Sequence, residues 1–228
     1  MHYLSFFRPA QIGLLLLCIN SAAIAQSGFF GAGDDEYIPS LTLVPAEIAV
    51  DVPTPVQGNN LALLLAQADG GNSLSALKEQ AAQKFSTRLQ REYHSQLEEF
   101  FADEEVPLVQ QNGMLSLRTS ISLSVSKQLN DLKDSGKYEL ERGTLELSGD
   151  FHYRLQNAAG STLSEQRIDI GSLRITEKYR VKTPHDGGEV EDTTNAAIEE
   201  ALVEMVKRLL DRAEDQLEAD QLQALAAR

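Results

Sequence analysis

Histidines are the side chains of this sequence that could most readily transfer protons near neutral pH or bind a transition metal. Beyond the first 25 residues there are three of them, His94, His152 and His185, and they fall in different predicted elements. None stands at the spacing of a known metal-ligand motif. We therefore expect each histidine to be a polar surface or loop residue, neither a ligand nor a catalyst.

Carboxylates form three clusters, at residues 34–36, 103–105 and 186–192. The last offers several hard oxygen ligands to calcium, but it lacks the alternating Asp/Asn pattern of an EF-hand loop. It directly precedes a predicted helix, where acidic residues interact favourably with the helix dipole and Asp192 or Thr193 can cap the first turn. We predict a helix cap here, with no metal site and no cofactor.

Motifs for covalent and phosphate chemistry are missing from the sequence. No serine has glycines two positions away on both sides, as the nucleophile of an α/β-hydrolase requires. Phosphate-loop and dinucleotide-binding glycine patterns are missing as well. No catalytic residue is therefore predicted, and the sequence does not specify a reaction.

The charge balance excludes one class of partner. The 228 residues carry 34 acids and 20 bases, a formal net charge of -14. Binding to nucleic acid depends largely on Lys and Arg displacing counterions from phosphates, and this surface opposes such contacts. We predict no nucleic-acid partner.

The N-terminus has the pattern of a secretory signal peptide. Residues 1–8 carry one positive charge and no acid, residues 12–19 are an apolar run, and Ala23 and Ala25 place small residues where signal peptidase cleaves. The apolar run is too short for a membrane-spanning helix, which needs about 20 residues. Cleavage after Ala25 is the favoured outcome, while a membrane anchor and lipid attachment at Cys18 stay open. No transmembrane segment is expected in the mature chain.

Residues 26–71 are predicted to form an extended arm that is rich in glycine, proline and acids and contains a short apolar segment at residues 61–68. A short strand is allowed within residues 41–52. Phe29 and Phe30 are two aromatic residues on this acidic arm. They are candidate partner contacts, although packing against the core of the same chain would explain them equally well.

Residues 72–228 are predicted to form an α-β-β-β-α domain. Apolar residues at steps of three and four predict a helix that ends by Pro107, and strict alternation over residues 115–126 predicts a strand with one polar face. Residues 130–136 form the next turn, which would place Leu123 near Leu140. Apolar phase changes beside Gly143 and Gly171 predict β-bulges in the second and third strands, with Leu147 opposite Ile170.

A second long helix is predicted from about Thr193 to Ala226. Its apolar stripe is dense before Ala213 and sparse afterwards, so we expect its end to project or fray. The remaining apolar residues there, Leu217, Leu222 and Leu225, are further candidate contacts with an envelope partner or a second copy of the chain.

The predicted fold is therefore an α+β two-layer domain, in which two long helices pack on one face of an antiparallel meander of three strands or slightly more. Its architecture resembles that of small bacterial envelope proteins with helices on a sheet, including some that assist outer-membrane assembly. Mixed charges on the outward strand faces suggest docking or simple stabilisation of a wet surface. We predict an exported, periplasmic or secreted, non-enzymatic binding or assembly protein. The alternative is an exported hydrolase or metal-dependent enzyme with converging carboxylates.

Overall fold

The computed structural model describes residues 37–54 and 74–227, and these form a mixed α+β fold. Within them lies a sheet of seven strands with three α-helices and one short 3-10 helix, Ile170–Leu173. The strands are β1 Leu41–Leu43, β2 Glu47–Asp51, β3 Leu115–Asp134, β4 Tyr138–Asn157, β5 Thr162–Asp169, β6 Thr176–Pro184 and β7 Glu191–Asp192. The helices are α1 Leu74–Asp103, α2 Thr194–Leu217 and α3 Ala219–Ala226.

Apolar and polar residues alternate along β3, and they lie on opposite faces of the strand as predicted. Its apolar residues Leu115, Leu117, Ile121, Leu123 and Val125 are all buried, while the intervening side chains are exposed or half-buried. Thr119, which interrupts the apolar series, is buried too.

A hydrogen bond accounts for this buried polar residue. The hydroxyls of Thr119 and of Tyr93 on α1 lie 2.8 Å apart. Burial raises the pKa of Tyr93 well above its usual value, so the phenol stays protonated. One polar pair thus joins α1 to the buried face of β3.

The β3–β4 hairpin is much longer than expected. Leu123 lies opposite Gly149 rather than near Leu140, which is opposite Lys133. The turn falls at residues 135–137, where Gly136 has φ +78° and its N–H donates to Asp134. The polar residues 130–136 were predicted to form the turn, but the two strands continue through most of them because their backbone groups pair with one another.

The predicted bulge beside Gly143 is found on the neighbouring strand. The register shifts between Leu129 and Asp131 on β3, opposite Gly143 and Arg142, so Asn130 is the extra residue. Gly143 has a different role: a Cβ there would overlap the carbonyl oxygen of Gln128 and the ring of Tyr179.

The predicted third strand is two strands. β4 pairs with β6 up to Glu146 and with β5 from Asp150 onward. The 3-10 helix separates β5 from β6, which removes Ile170 from the strand position predicted opposite Leu147. The apolar phase change beside Gly171 marks this helix rather than a bulge.

The sheet is therefore larger than the predicted three-stranded antiparallel meander. β1 and β2 come from the predicted extended arm, within residues 41–52, where one short strand was allowed. Both pair with β3 in parallel. Leu41 pairs with Leu115, and Ile48 pairs with Ile121. Parallel strands are not joined by a tight turn, and β1 and β2 are far from β3 in sequence. No local turn motif could therefore predict this pairing.

The helices contribute the predicted apolar stripes to the core. α1 buries Phe85, Leu89, Tyr93, Leu97 and Phe101. α2 buries ten residues, among them the predicted stripe of Ile198, Leu202, Met205, Leu209 and Ala213. These side chains form one core cluster with the buried residues of β3 and β4.

The second long helix ends earlier than predicted, and its last turns do not project. α2 stops at Leu217, Glu218 adopts an extended conformation, and α3 follows. The backbone N–H of Ala219 donates to the Glu104 carboxylate at 3.1 Å, which fixes the start of α3.

Candidate functional site

An open polar groove crosses β2, β3, β4 and β5 on the exposed side of the sheet. We call it the outer groove. Its larger part has a volume of about 600 Å³, and the adjoining part has about 430 Å³. Glu47, Ser120 and His152 line both parts. The rest of the lining is Ile48, Ala49, Ile121, Ser122, Asp150, Glu165 and Arg167 in the larger part, and Val44, Pro45, Arg118, Thr119, Arg154, Gln156 and Gly160 in the other.

The pleat of the strands explains why this surface is polar. Buried residues occupy odd positions on β3 and on this half of β4, so the even positions point to the opposite face. Those positions carry Arg118, Ser120 and Ser122 on β3. On β4 they carry Asp150, His152, Arg154 and Gln156, each directly across from a β3 residue of the same face.

Two side-chain pairs join β4 to β5 across the larger part of the groove. Arg167 donates from Nε and Nη2 to the two oxygens of Asp150, both at 2.8 Å. His152 Nε2 lies 2.7 Å from Glu165 Oε1. In the strand register, however, Arg167 is opposite His152 and Glu165 is opposite Arg154. Each β5 side chain therefore reaches diagonally to the preceding position of β4.

These pairings limit the acid–base chemistry of the groove. The hydrogen bonds from Arg167 lower the pKa of Asp150, so this carboxyl is ionised at neutral pH. Hydrolysis by two carboxylates requires one that stays protonated to act as the acid. Glu218 does have a raised pKa, caused by desolvation and by Glu104 and other nearby acids, but it lies at the α2–α3 junction.

Ser120, His152 and Glu165 are the residue types of a serine hydrolase, and Ser120 lies directly opposite His152 in the strand register. A nucleophilic serine needs a hydrogen bond to its base. In the part of the chain that the structure describes, the hydrogen bond of His152 is to Glu165, and none is found between Ser120 and His152. In this structure His152 is held by Glu165, and Ser120 is one of the polar residues that line the groove.

A metal site was the other enzymatic alternative. Among residues 37–54 and 74–227, no group of three or more His, Cys, Asp or Glu side chains is placed to hold a metal ion. The acidic loop at residues 186–192 contains Asp186, whose carboxylate accepts from the N–H of Gly188, and Glu191, which pairs with Lys182. Its Asp192 caps the start of α2 by accepting from the N–H of Thr194 at 2.7 Å.

The predicted contact residues do not meet at this groove. Phe29 and Phe30 lie outside the described residues. Leu217, Leu222 and Leu225 are buried, with exposures of 1%, 0% and 7%, and they belong to the core cluster. Their contact with another chain stays a prediction, and in this fold it would require α3 to leave the core.

The predicted register of the second and third strands, with Leu147 opposite Ile170, also sets Asp150 opposite Arg167 and His152 opposite Glu165. The structure brings the same side chains together, although its register is shifted and the contacts are diagonal. The outward face of β4 was also predicted to lie beside residues 172–180, of which 176–180 belong to β6 and pair with another part of β4. Ser164, Glu165, Gln166 and Arg167 are consecutive polar residues, so local alternation does not show which of them face the groove.

Among solved structures, one bacterial protein has a similar fold. A crystal structure from Helicobacter pylori, of a protein named as a neuraminyllactose-binding hemagglutinin homolog, matches with a TM-score of 0.51 and 11% identity. The match covers 83% of this chain and 91% of that one. At this identity the similarity concerns the fold alone.

A second match is a minor lipoprotein from Acinetobacter baumannii, with a TM-score of 0.31 and 12% identity over 81% of this chain and 94% of that one. No protein-family model matches the sequence, and no curated protein matches it either. No helix within residues 37–54 and 74–227 is long and apolar enough to cross a membrane.

Proposed function

We propose that this chain is an exported, non-enzymatic protein of the bacterial envelope, and that it binds its partner in the outer groove. The observation that carries the proposal is the pair of side-chain contacts, Arg167–Asp150 and His152–Glu165, on an open polar surface. Polar groups that are already held in place lose little conformational entropy when a partner binds. A groove of this kind favours recognition over catalysis.

Export is supported by the charged start, the apolar run and the Ala23-Ile24-Ala25 site, all of which precede the described residues. A periplasmic or secreted location follows from that pattern, and the partner would be an envelope protein or a second copy of the chain. The Helicobacter protein of similar fold is itself named for binding, which is in keeping with a recognition role.

Blocking the groove is the test. In the variant Ser122→Trp, an indole replaces an exposed hydroxyl in the larger part of the groove. We expect it to lose most of the partner that wild type recovers after cross-linking in native envelopes, because the indole occupies space that the partner needs. The matched control Glu214→Trp puts the same ring on an exposed position of α2, outside the groove.

The control should recover as much partner as wild type, and both variants should melt within a few degrees of it. Equal recovery by Ser122→Trp and wild type would contradict the proposal. Loss of recovery by Glu214→Trp alone would assign binding to the helices. The recovered protein should begin at Gln26 by intact mass; a form starting at an acylated Cys18 would change the mode of attachment but leave the groove as the binding surface.

A further inference from the structure

Two arginines face each other in the smaller part of the outer groove. Arg118 on β3 and Arg154 on β4 are direct cross-strand partners, and both are exposed. Side chains at such positions have Cβ atoms about 5 Å apart, and like charges placed there destabilise the sheet. The Arg118–Arg154 pair therefore lowers the stability of the sheet, and the fold itself does not require it.

The diagonal contacts of β5 explain why, within the described residues, no carboxylate neutralises the repulsion between these two arginines. Glu165 is the register partner of Arg154, but its carboxylate bonds to His152. The Nε of Arg118 donates to the neutral amide oxygen of Gln156 at 2.9 Å. Within residues 37–54 and 74–227, neither arginine has an ion pair with a carboxylate.

The surroundings define the kind of anion that fits. The guanidinium group of each arginine offers several donors in a planar fork, the geometry that matches a carboxylate or phosphate. Glu47 lines the same space and brings one negative charge close to it. Together with the net charge of -14, it disfavours a group with two charges and strongly disfavours a polyanion.

We infer that Arg118 and Arg154 form a binding site for a singly charged carboxylate group of the ligand that occupies the outer groove. This inference rests on the proposed function, because it assigns one end of the same groove to the acidic group of the ligand. Val44 and Pro45 line the space beside it with apolar atoms, so the carboxylate belongs to a group of the partner that also has some apolar surface.

The test follows the Arg Nε–H signals of the full mature chain by NMR during titration with small carboxylates. N-acetylalanine and D-glucuronate are the two probes, which separate a peptide-type source of the carboxylate from a sugar-type source. N-acetylalaninamide and D-glucose are their neutral counterparts, and inorganic phosphate is the more highly charged anion. We expect at least one carboxylate to shift the signals of both arginines to saturation, more tightly than phosphate, while the neutral compounds do not.

Two variants decide whether these arginines are responsible. Arg154→Gln removes one guanidinium and should weaken carboxylate binding by about tenfold or more. Its melting temperature should equal or slightly exceed that of wild type, because a like-charge contact is lost. Arg212→Gln, at an exposed position of α2, should leave binding unchanged.

The inference is overturned if no carboxylate shifts the two signals, if the neutral compounds shift them equally, or if both variants bind as wild type does. These failures are distinct from failure of the proposed function. If Ser122→Trp still loses its partner while the titration is silent, the groove binds a ligand that has no carboxylate at this end.

Discussion

Replacing Gly149 with alanine should lower the melting temperature of the chain by roughly 6 °C or more. Gly149 has φ +134°, a conformation that residues with a Cβ rarely adopt, and an added Cβ would overlap the carbonyl oxygen of Ser122 on β3. The strained backbone alone costs on the order of 1–3 kcal/mol, and each kcal/mol shifts the melting temperature of a domain this size by about 2–4 °C. Separation of β3 from β4 adds to that cost.

Thermal unfolding followed by circular dichroism measures the effect, and Gly188→Ala is the matched control. The Cβ added in that exposed loop would meet the Asp186 carboxylate at 3.1 Å, and this flexible side chain can turn away. If Gly149→Ala and Gly188→Ala have the same melting temperature, the backbone conformation of β4 at Gly149 differs from the one in the structure.

The second large effect is expected from a charge placed on the buried face of β3. Leu123 is 3% exposed within the core cluster. Leu123→Lys should leave most of the protein unfolded or insoluble at room temperature, because burying an unpaired charge costs several kcal/mol. This is comparable with the whole stability of a domain, about 5–15 kcal/mol.

Ser122→Lys is the adjacent control, since its side chain is exposed on the opposite face, across from Asp150. Its free energy of unfolding, measured by urea titration, should stay within about 0.5 kcal/mol of wild type. Similar losses in the two variants would mean that the face of β3 has been assigned incorrectly.

The alternation of β3 and the helical stripes were predictable because they depend only on local periodicity. Leu117 and Leu123 on β3, like Leu89 on α1, occupy the buried positions that the sequence assigned to them. The registers were not predictable in the same way. The hydrophobic pattern alone allows Leu123 to pair with either Leu140 or Gly149. The length of the polar part of the β3–β4 hairpin determines which of the two pairings forms.

The groove was harder to predict for a related reason. It combines side chains from β2, β3, β4 and β5, and β2 pairs with β3 across a long sequence separation. Gly149 lies where β4 changes partner from β6 to β5. The single third strand that the sequence predicts also sets Asp150 opposite Arg167 and His152 opposite Glu165, but it contains neither this change of partner nor the diagonal contacts. Tertiary pairing, rather than composition, creates the site.

The claim that the outer groove is the contact surface can be tested most directly by placing a photoreactive group at its edge. The predicted mature chain has no cysteine, because Cys18 is removed with the signal peptide. Glu47→Cys therefore introduces a unique thiol at a residue that lines both parts of the groove. Glu214→Cys introduces one on α2, away from the groove.

Each mature variant is labelled with a short photocross-linker and irradiated with native envelopes. We predict a discrete adduct from Glu47→Cys that excess unlabelled wild-type protein suppresses, and no such adduct from Glu214→Cys. An adduct of the same mass as a dimer would identify the partner as a second copy of the chain. An adduct from Glu214→Cys without one from Glu47→Cys, or equal labelling at both positions, would contradict the assignment of the groove.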